Sequence, residues 1–93
     1  MRIFLLADNW LGWKITQYLM SRKENVVGVA IHGEEKRRYA SEILNTLQLP
    51  PDRVFDGTKL RDSLYITSIK KLKPDLVICC GWAYILKPDF ISI

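Results

Sequence analysis

Short, unbroken apolar runs alternate along the chain with stretches whose apolar residues recur every third or fourth position. Arg2-Ile3-Phe4-Leu5-Leu6-Ala7 is the first run, and its lack of polar alternation predicts a strand covered on both faces, as strands of parallel sheets are. From Trp10 to Arg22 the positions Leu11, Ile15, Tyr18 and Leu19, with Trp10 and Trp13 more loosely, predict a helix that lays one stripe on that sheet. Asp8 and Asn9 precede it as candidate N-caps. Val26 to Ile31 is a second strand rich in β-branched residues, closed by His32-Gly33. Glu34 and Glu35 then stand where a helix start favours negative charge. Tyr39, Ala40, Ile43, Leu44 and Leu47 form the apolar face of this second helix, and Pro50-Pro51-Asp52 ends the unit. Arg53-Val54-Phe55 is a short third strand. The turn Asp56-Gly57-Thr58 offers Thr58 as the cap of a third helix reaching about Leu72, with Leu60, Leu64, Ile69 and Leu72 facing the sheet and Tyr65 and Ile66 on its flanks. Lys73-Pro74-Asp75 stops it, and Leu76 to Cys80 is a fourth strand.

Strand and helix thus alternate from end to end. Crossovers between parallel strands are right-handed in nearly all cases, so the economical result is an α/β fold: a half-Rossmann parallel sheet of strand order 3-2-1-4 with helices on both faces. Residues 1–93 read as one such subdomain. Strands 1 and 4 are then neighbours at the switch point, which sets the turn Asp8-Asn9-Trp10 beside the segment Gly81-Trp82-Ala83-Tyr84. Ligands of open α/β sheets bind in the crevice beyond the carboxyl ends of the strands, and a ligand is expected there. Strand 4 is expected to be an open edge, a template for pairing unless something covers it.

Composition narrows the class. With 93 residues, 48% hydrophobic and 26% charged, the chain is a globular domain with a thin core and no disordered tract. Its longest apolar runs fall far short of the roughly 20 residues of a bilayer span, and no secretory leader is evident. Cys79 and Cys80 are neighbours on one strand and point to opposite faces, so neither a mutual disulfide nor a metal pair is expected; the reading is cytoplasmic. The net charge of +4 arises from 14 basic against 10 acidic side chains. The basic residues gather in Arg22-Lys23, Lys36-Arg37-Arg38 and Lys70-Lys71-Lys73, without interleaved aromatic side chains. That pattern fits solvated helix faces better than a nucleic-acid stripe, and it leaves a weak bias toward an anionic ligand.

The pattern Pro74-Asp75-Leu76-Val77-Ile78, followed by Gly81-Trp82-Ala83-Tyr84-Ile85-Leu86-Lys87-Pro88, resembles the amino-terminal half of the folate-dependent formyltransferases, which act on methionyl-tRNA, glycinamide ribonucleotide or sugar nucleotides. The likeness covers the whole chain loosely and is specific only from Pro74 to Pro88. It implies a pocket for the pterin ring of N10-formyltetrahydrofolate built from Trp82, Ala83, Tyr84, Ile85 and Leu86. A flat heteroaromatic ring wants apolar walls and a few directed backbone groups, which an irregular loop beyond a strand can present. A purely structural role stays open, with Ile85 and Leu86 packing the strand's exit and Trp82 plugging a core edge. The family's catalytic asparagine, its histidine in a His-x-Ser-Leu-Leu-Pro segment and its aspartate have no matching positions here, so the catalytic set within this chain reads as none and is expected in a carboxyl-terminal remainder. In the implied reaction an amine attacks the formyl carbon, fixed donors hold the oxyanion and a positioned base takes the proton. His32, at the end of the second strand, matches nothing in that motif and reads as an ordinary strand-end histidine.

The implied acceptor follows from the turn after the first strand. Asp8-Asn9-Trp10-Leu11-Gly12 carries one glycine, a carboxylate and an indole, unlike the glycine-rich phosphate cradle expected for glycinamide ribonucleotide. The Gly-Thr-Pro-like start of methionyl-tRNA formyltransferases is absent too. Asn-x-Leu-Gly-type turns resemble those of sugar-nucleotide formyltransferases, so an amino-sugar nucleotide is the expected acceptor, with Asp8, Asn9 and Trp10 on the substrate side. Asp8 and Asn9 read equally as helix caps, and Trp10 and Trp13 as helix-face packing. No nucleic acid other than tRNA is expected as a partner. Rival readings are weaker. A nicotinamide site wants Gly-x-Gly-x-x-Gly, of which only the last glycine is present. A phospho-receiver wants a second clustered acid and a later lysine. A non-catalytic interaction module remains the third alternative.

Overall fold

The computed structural model describes residues 1–33, 39–60 and 62–80. Within them the chain forms β1 (Arg2–Ala7), α1 (Asn9–Ser21), β2 (Asn25–Ile31), α2 (Ala40–Leu47), β3 (Val54–Asp56), α3 (Ser63–Lys70) and β4 (Leu76–Cys80). Short 3-10 turns at Pro51–Arg53 and Gly57–Lys59 flank β3. The four strands make one parallel sheet in the order β3-β2-β1-β4, with helices on both faces, as the alternation of the sequence predicts.

β1 is the centre. Odd residues Ile3, Leu5 and Ala7 face one layer with Val29 and Ile31 of β2, against Leu19 of α1 and Ala40, Ile43 and Leu47 of α2. Even residues Phe4 and Leu6 face the other layer with Ala30 and Phe55, against Leu60 and against Ile66 and Ile69 of α3. The period of two in side-chain direction divides one apolar run between two cores. The register slips between Ile3 and Phe4, where β2 carries one extra residue, and Gly28 then lies opposite Phe4. A Cβ at Gly28 would stand 2.9 Å from the Phe4 ring, so glycine there makes room for the aromatic side chain. The amino end of β4 is anchored to that of β1. Asp75 accepts from the Arg2 amide at 2.8 Å, the Asp75 amide donates to the Arg2 carbonyl at 2.7 Å, and Arg2 Nε donates to the Leu72 carbonyl at 2.7 Å.

Two helices differ from the reading of their apolar periodicity. In α1 the buried residues are Gly12, Thr16 and Leu19, while Leu11 and Tyr18 face outward. The cause is close approach: a Cβ on Gly12 would lie 3.2 Å from the Cys80 carbonyl oxygen and 3.3 Å from the Ala7 carbonyl carbon. Only small side chains fit that line of contact, and the Thr16 hydroxyl is satisfied by donating to the Gly12 carbonyl at 2.7 Å. The third helix starts later than Thr58. Asp56 caps the 3-10 turn by accepting from the Thr58 amide, and Asp62 caps α3 by accepting from the Leu64 amide at 2.9 Å. This shifts the phase, so Ile66 and Ile69 are buried and Leu64 is 78% exposed. Tyr65, expected on the flank, packs edge-on against Phe55, and its hydroxyl accepts from the Asp56 amide.

Gly12→Ala tests the approach of α1 to the sheet. Alanine favours the helix by about 1 kcal/mol, but the added methyl meets backbone of two paired strands that cannot yield, and overpacking of that kind costs roughly 1–3 kcal/mol. The expected outcome is a net loss of about 1 kcal/mol in urea unfolding; a gain would show that α1 stands off the sheet.

Candidate functional site

The carboxyl ends of β1, β2 and β4 meet at one residue. β1 pairs with β4 so that Ala7 lies opposite Cys80, and the next amide, that of Asp8, donates to the Cys80 carbonyl at 3.1 Å. β1 pairs with β2 so that Leu6 lies opposite Ala30, which brings Asp8 opposite His32 two positions on. Asp8 Oδ2 stands 2.8 Å from His32 Nδ1, and both residues are almost wholly buried, at 3% and 2% exposure. The Asp8 carbonyl in turn accepts the Gly12 amide at 3.1 Å at the start of α1. One carboxylate residue therefore ties three strand ends and a helix start.

This corrects two expectations. Asp8 occupies the N-cap position, but its side chain makes no capping bond; the carboxylate is turned toward His32 instead. His32 is more than a strand-end residue. A carboxylate on Nδ1 orders that nitrogen to carry a proton, which fixes the orientation of the imidazole in the crevice. The signal for the pair was present in the sequence: each residue immediately follows an apolar strand, and the strand order makes those strands parallel neighbours.

Asn9 follows with φ 71°, a left-handed conformation that asparagine tolerates better than most residues, and its side-chain oxygen accepts from the Trp10 amide. The sharp bend turns the chain from strand into helix within one residue. Trp10 emerges on the first turn of α1 and is 52% exposed. One turn on, Trp13 stacks against Tyr39, with ring centroids 5.5 Å apart and planes inclined by 17°. Tyr39 sits at the start of α2 with φ 61°. The Lys14 ammonium lies 4.4 Å from the Trp13 ring and 5.7 Å from that of Trp10. Periodicity alone did not reveal this assembly, because the second aromatic partner comes from a different helix.

The turn Asp8-Asn9-Trp10 thus adjoins the end of β4, the adjacency that the strand order predicts. Trp82, Ala83, Tyr84, Ile85 and Leu86 lie outside the described residues. What leads into them is the end of β4. Burial, and then the neighbouring Cys79, push the Cys80 thiol up to about 11, while burial raises that of the more exposed Cys79. Both remain thiols at neutral pH. Among the described residues no group of three or more His, Cys, Asp or Glu side chains is placed to hold a metal ion. No helix among them is long and apolar enough to cross a membrane. No family model matches the chain, and no curated protein matches it.

Two measurements test this junction. His32→Leu takes from a buried carboxylate its 2.8 Å partner, and the expected loss is about 3 kcal/mol in chemical denaturation. A loss under about 1 kcal/mol would show that the pair does not hold the strand ends together. With iodoacetamide at pH 8, Cys79 is expected to react before Cys80, whose rate climbs as pH approaches 11. Equal rates would place the end of β4 in open solvent.

Proposed function

We propose that this chain is the cofactor-binding amino-terminal half of a formyltransferase that moves a formyl group from N10-formyltetrahydrofolate to a primary amine, with an amino-sugar nucleotide as acceptor. The single observation that carries the reading is the junction at Asp8. Its amide bond to the Cys80 carbonyl holds the exit of β4, and with it the origin of the Gly-Trp-Ala-Tyr-Ile-Leu segment, against the turn that presents Asn9 and Trp10. Ligands of open parallel sheets bind at the edge where two such segments leave the sheet side by side, and a pterin and an acceptor would be brought together there.

The residues suit these roles by their chemistry. Trp82, Ala83, Tyr84, Ile85 and Leu86 supply apolar walls and backbone amides for a flat pterin, and the bound folate would supply the activated formyl group. Asn9 and Trp10 face the acceptor. Asp8, buried and tied to His32, positions both segments and does not itself meet substrate. The proton-transfer residues belong to a further part of the catalytic domain. Methionyl-tRNA and glycinamide ribonucleotide are the alternative acceptors, less favoured because the chain lacks the Gly-Thr-Pro-like start of enzymes for the first and the glycine-rich cradle expected for the second. A second reading, a non-catalytic interaction module, has in its favour the outward-facing Leu11 and Tyr18 on α1.

5-Formyltetrahydrofolate, a stable formyl-folate, is the probe that separates these readings. At a hundred times its Kd a ligand of the folded state contributes about 2.7 kcal/mol, a readily measured rise in melting temperature. The rise is expected for the wild type and is expected to vanish in Trp82→Ala and Tyr84→Ala. No rise with the folate, or a rise only with a nicotinamide dinucleotide or acetyl phosphate, would overturn the proposal.

A further inference from the structure

At the carboxyl edge of the sheet, the start of α1 and the start of α2 build a surface of which the formyl-group reading uses Trp10 alone. Trp10 shows about half its surface to solvent, and Trp13 and Tyr39 form a parallel stack one turn below it. Between the two indoles lies the Lys14 ammonium, which also touches the Gln17 side-chain oxygen at 3.3 Å. Among the described residues no carboxylate stands within 4.0 Å of that ammonium. α1 carries no acidic residue in its first turn, and the carboxylate of its N-cap residue, Asp8, is turned toward His32.

The aromatic stack is held at a conformational expense. Tyr39 adopts φ 61°, where a bulky side chain crowds its own backbone, and strain of this kind costs of order 1 kcal/mol or more. What it achieves is the placement of the Tyr39 ring flat on Trp13, which stiffens the ledge that carries Trp10 and Lys14. An exposed indole offers a face to a planar heteroaromatic ring, and a cation beside that face offers a partner to an anion attached to the ring. Both features stand at the carboxyl edge of the sheet, within the first turn and a half of α1.

We propose that the Trp10–Lys14 ledge binds the nucleoside diphosphate portion of the acceptor, with the base stacked on the Trp10 indole and the diphosphate paired with the Lys14 ammonium. The inference rests on the proposed acceptor class and deepens it. The sugar amine would then point from the ledge toward the turn at Asn9, and the Trp13–Tyr39 stack acts as the support beneath. Tyr39 and Trp13 are positioning residues here, whereas Trp10 and Lys14 touch the ligand.

Quenching of intrinsic tryptophan fluorescence and calorimetry of the chain with uridine diphosphate test the ledge, with uridine alone and pyrophosphate alone as the half-ligands. The expected result is saturable binding of the diphosphate that exceeds either half-ligand. Trp10→Ala is expected to weaken it about tenfold, the loss of one base stack. Lys14→Met, which keeps the aliphatic stem, is expected to weaken it and flatten its salt dependence, while Leu64→Ala on the opposite layer leaves it unchanged. Tyr39→Gly relieves the strained backbone and removes the ring, so the pattern expected is unchanged or higher thermal stability together with weaker binding. Melting curves confirm that each variant is folded. Absence of diphosphate binding in a protein that 5-formyltetrahydrofolate stabilises would overturn the ledge and leave the formyltransferase reading standing. Binding unchanged in both Trp10→Ala and Lys14→Met would overturn it also. Concentration-dependent self-association abolished by Trp10→Ala, without nucleotide binding, would assign the ledge to a second copy of the chain and overturn it.

Discussion

The constraint on which the molecule turns is the position of Asp8. Its main chain closes the β1–β4 edge, its carbonyl starts α1, and its carboxylate reaches across to β2. A carboxylate is costly to bury, and it is tolerated here because the same register that pairs the strands delivers an imidazole to it. The arrangement is cooperative in a literal geometric sense. If β1 slipped by one residue against β2, the acid would meet a glycine or an isoleucine instead of the histidine, and Gly28 would no longer clear the Phe4 ring. Core and crevice thus specify one alignment between them.

Around that junction the two layers divide their labour. The layer of α1 and α2 comes closest to the sheet and carries the exposed aromatic and cationic surface at the carboxyl edge. The layer of α3 is a dry cluster in which Phe4, Phe55 and Tyr65 meet ring to ring, with centroid separations of 5.5 and 5.4 Å. Such tilted and edge-on contacts add to plain area burial, and they hold β3, a strand of only three residues, on the sheet.

The strands and their order were legible because both rest on strong local signals, unbroken apolar runs and the handedness of crossovers. The face of α2 was legible as well, with Ala40, Ile43 and Leu47 buried, but those of the first and third helices were not, each for its own reason. In α1 the decisive quantity is distance to the sheet, which rewards Gly12 and Thr16 and expels Leu11 and Tyr18, the reverse of what apolarity predicts. In the third helix two aspartates six residues apart, Asp56 and Asp62, divide the segment into two capped turns where one helix was expected, and Leu64 lost its place in the core. Asp75 carried the sequence resemblance, yet its role in the fold is to clasp the start of β1. Around the candidate site, the adjacency of the Asp8-Asn9-Trp10 turn to the end of β4 was legible, while the contacts of His32 and Tyr39 needed the register and the second helix before they could be read.

Among the described residues, five that are not glycine, Asn9, Lys23, Tyr39, Gln48 and Lys73, adopt left-handed backbone. At the end of α1 the Lys23 and Glu24 amides return to the Met20 and Leu19 carbonyls, the reversal that glycine ordinarily makes cheap, and here a lysine makes it. Gly12 and Gly28, by contrast, stand where chains or rings draw near one another. At these two positions glycine is an instrument of proximity rather than of turning, while the five left-handed bends are left to side chains that bear their own steric load. Glycine would therefore be welcome at those bends, and any larger residue unwelcome at the two contacts.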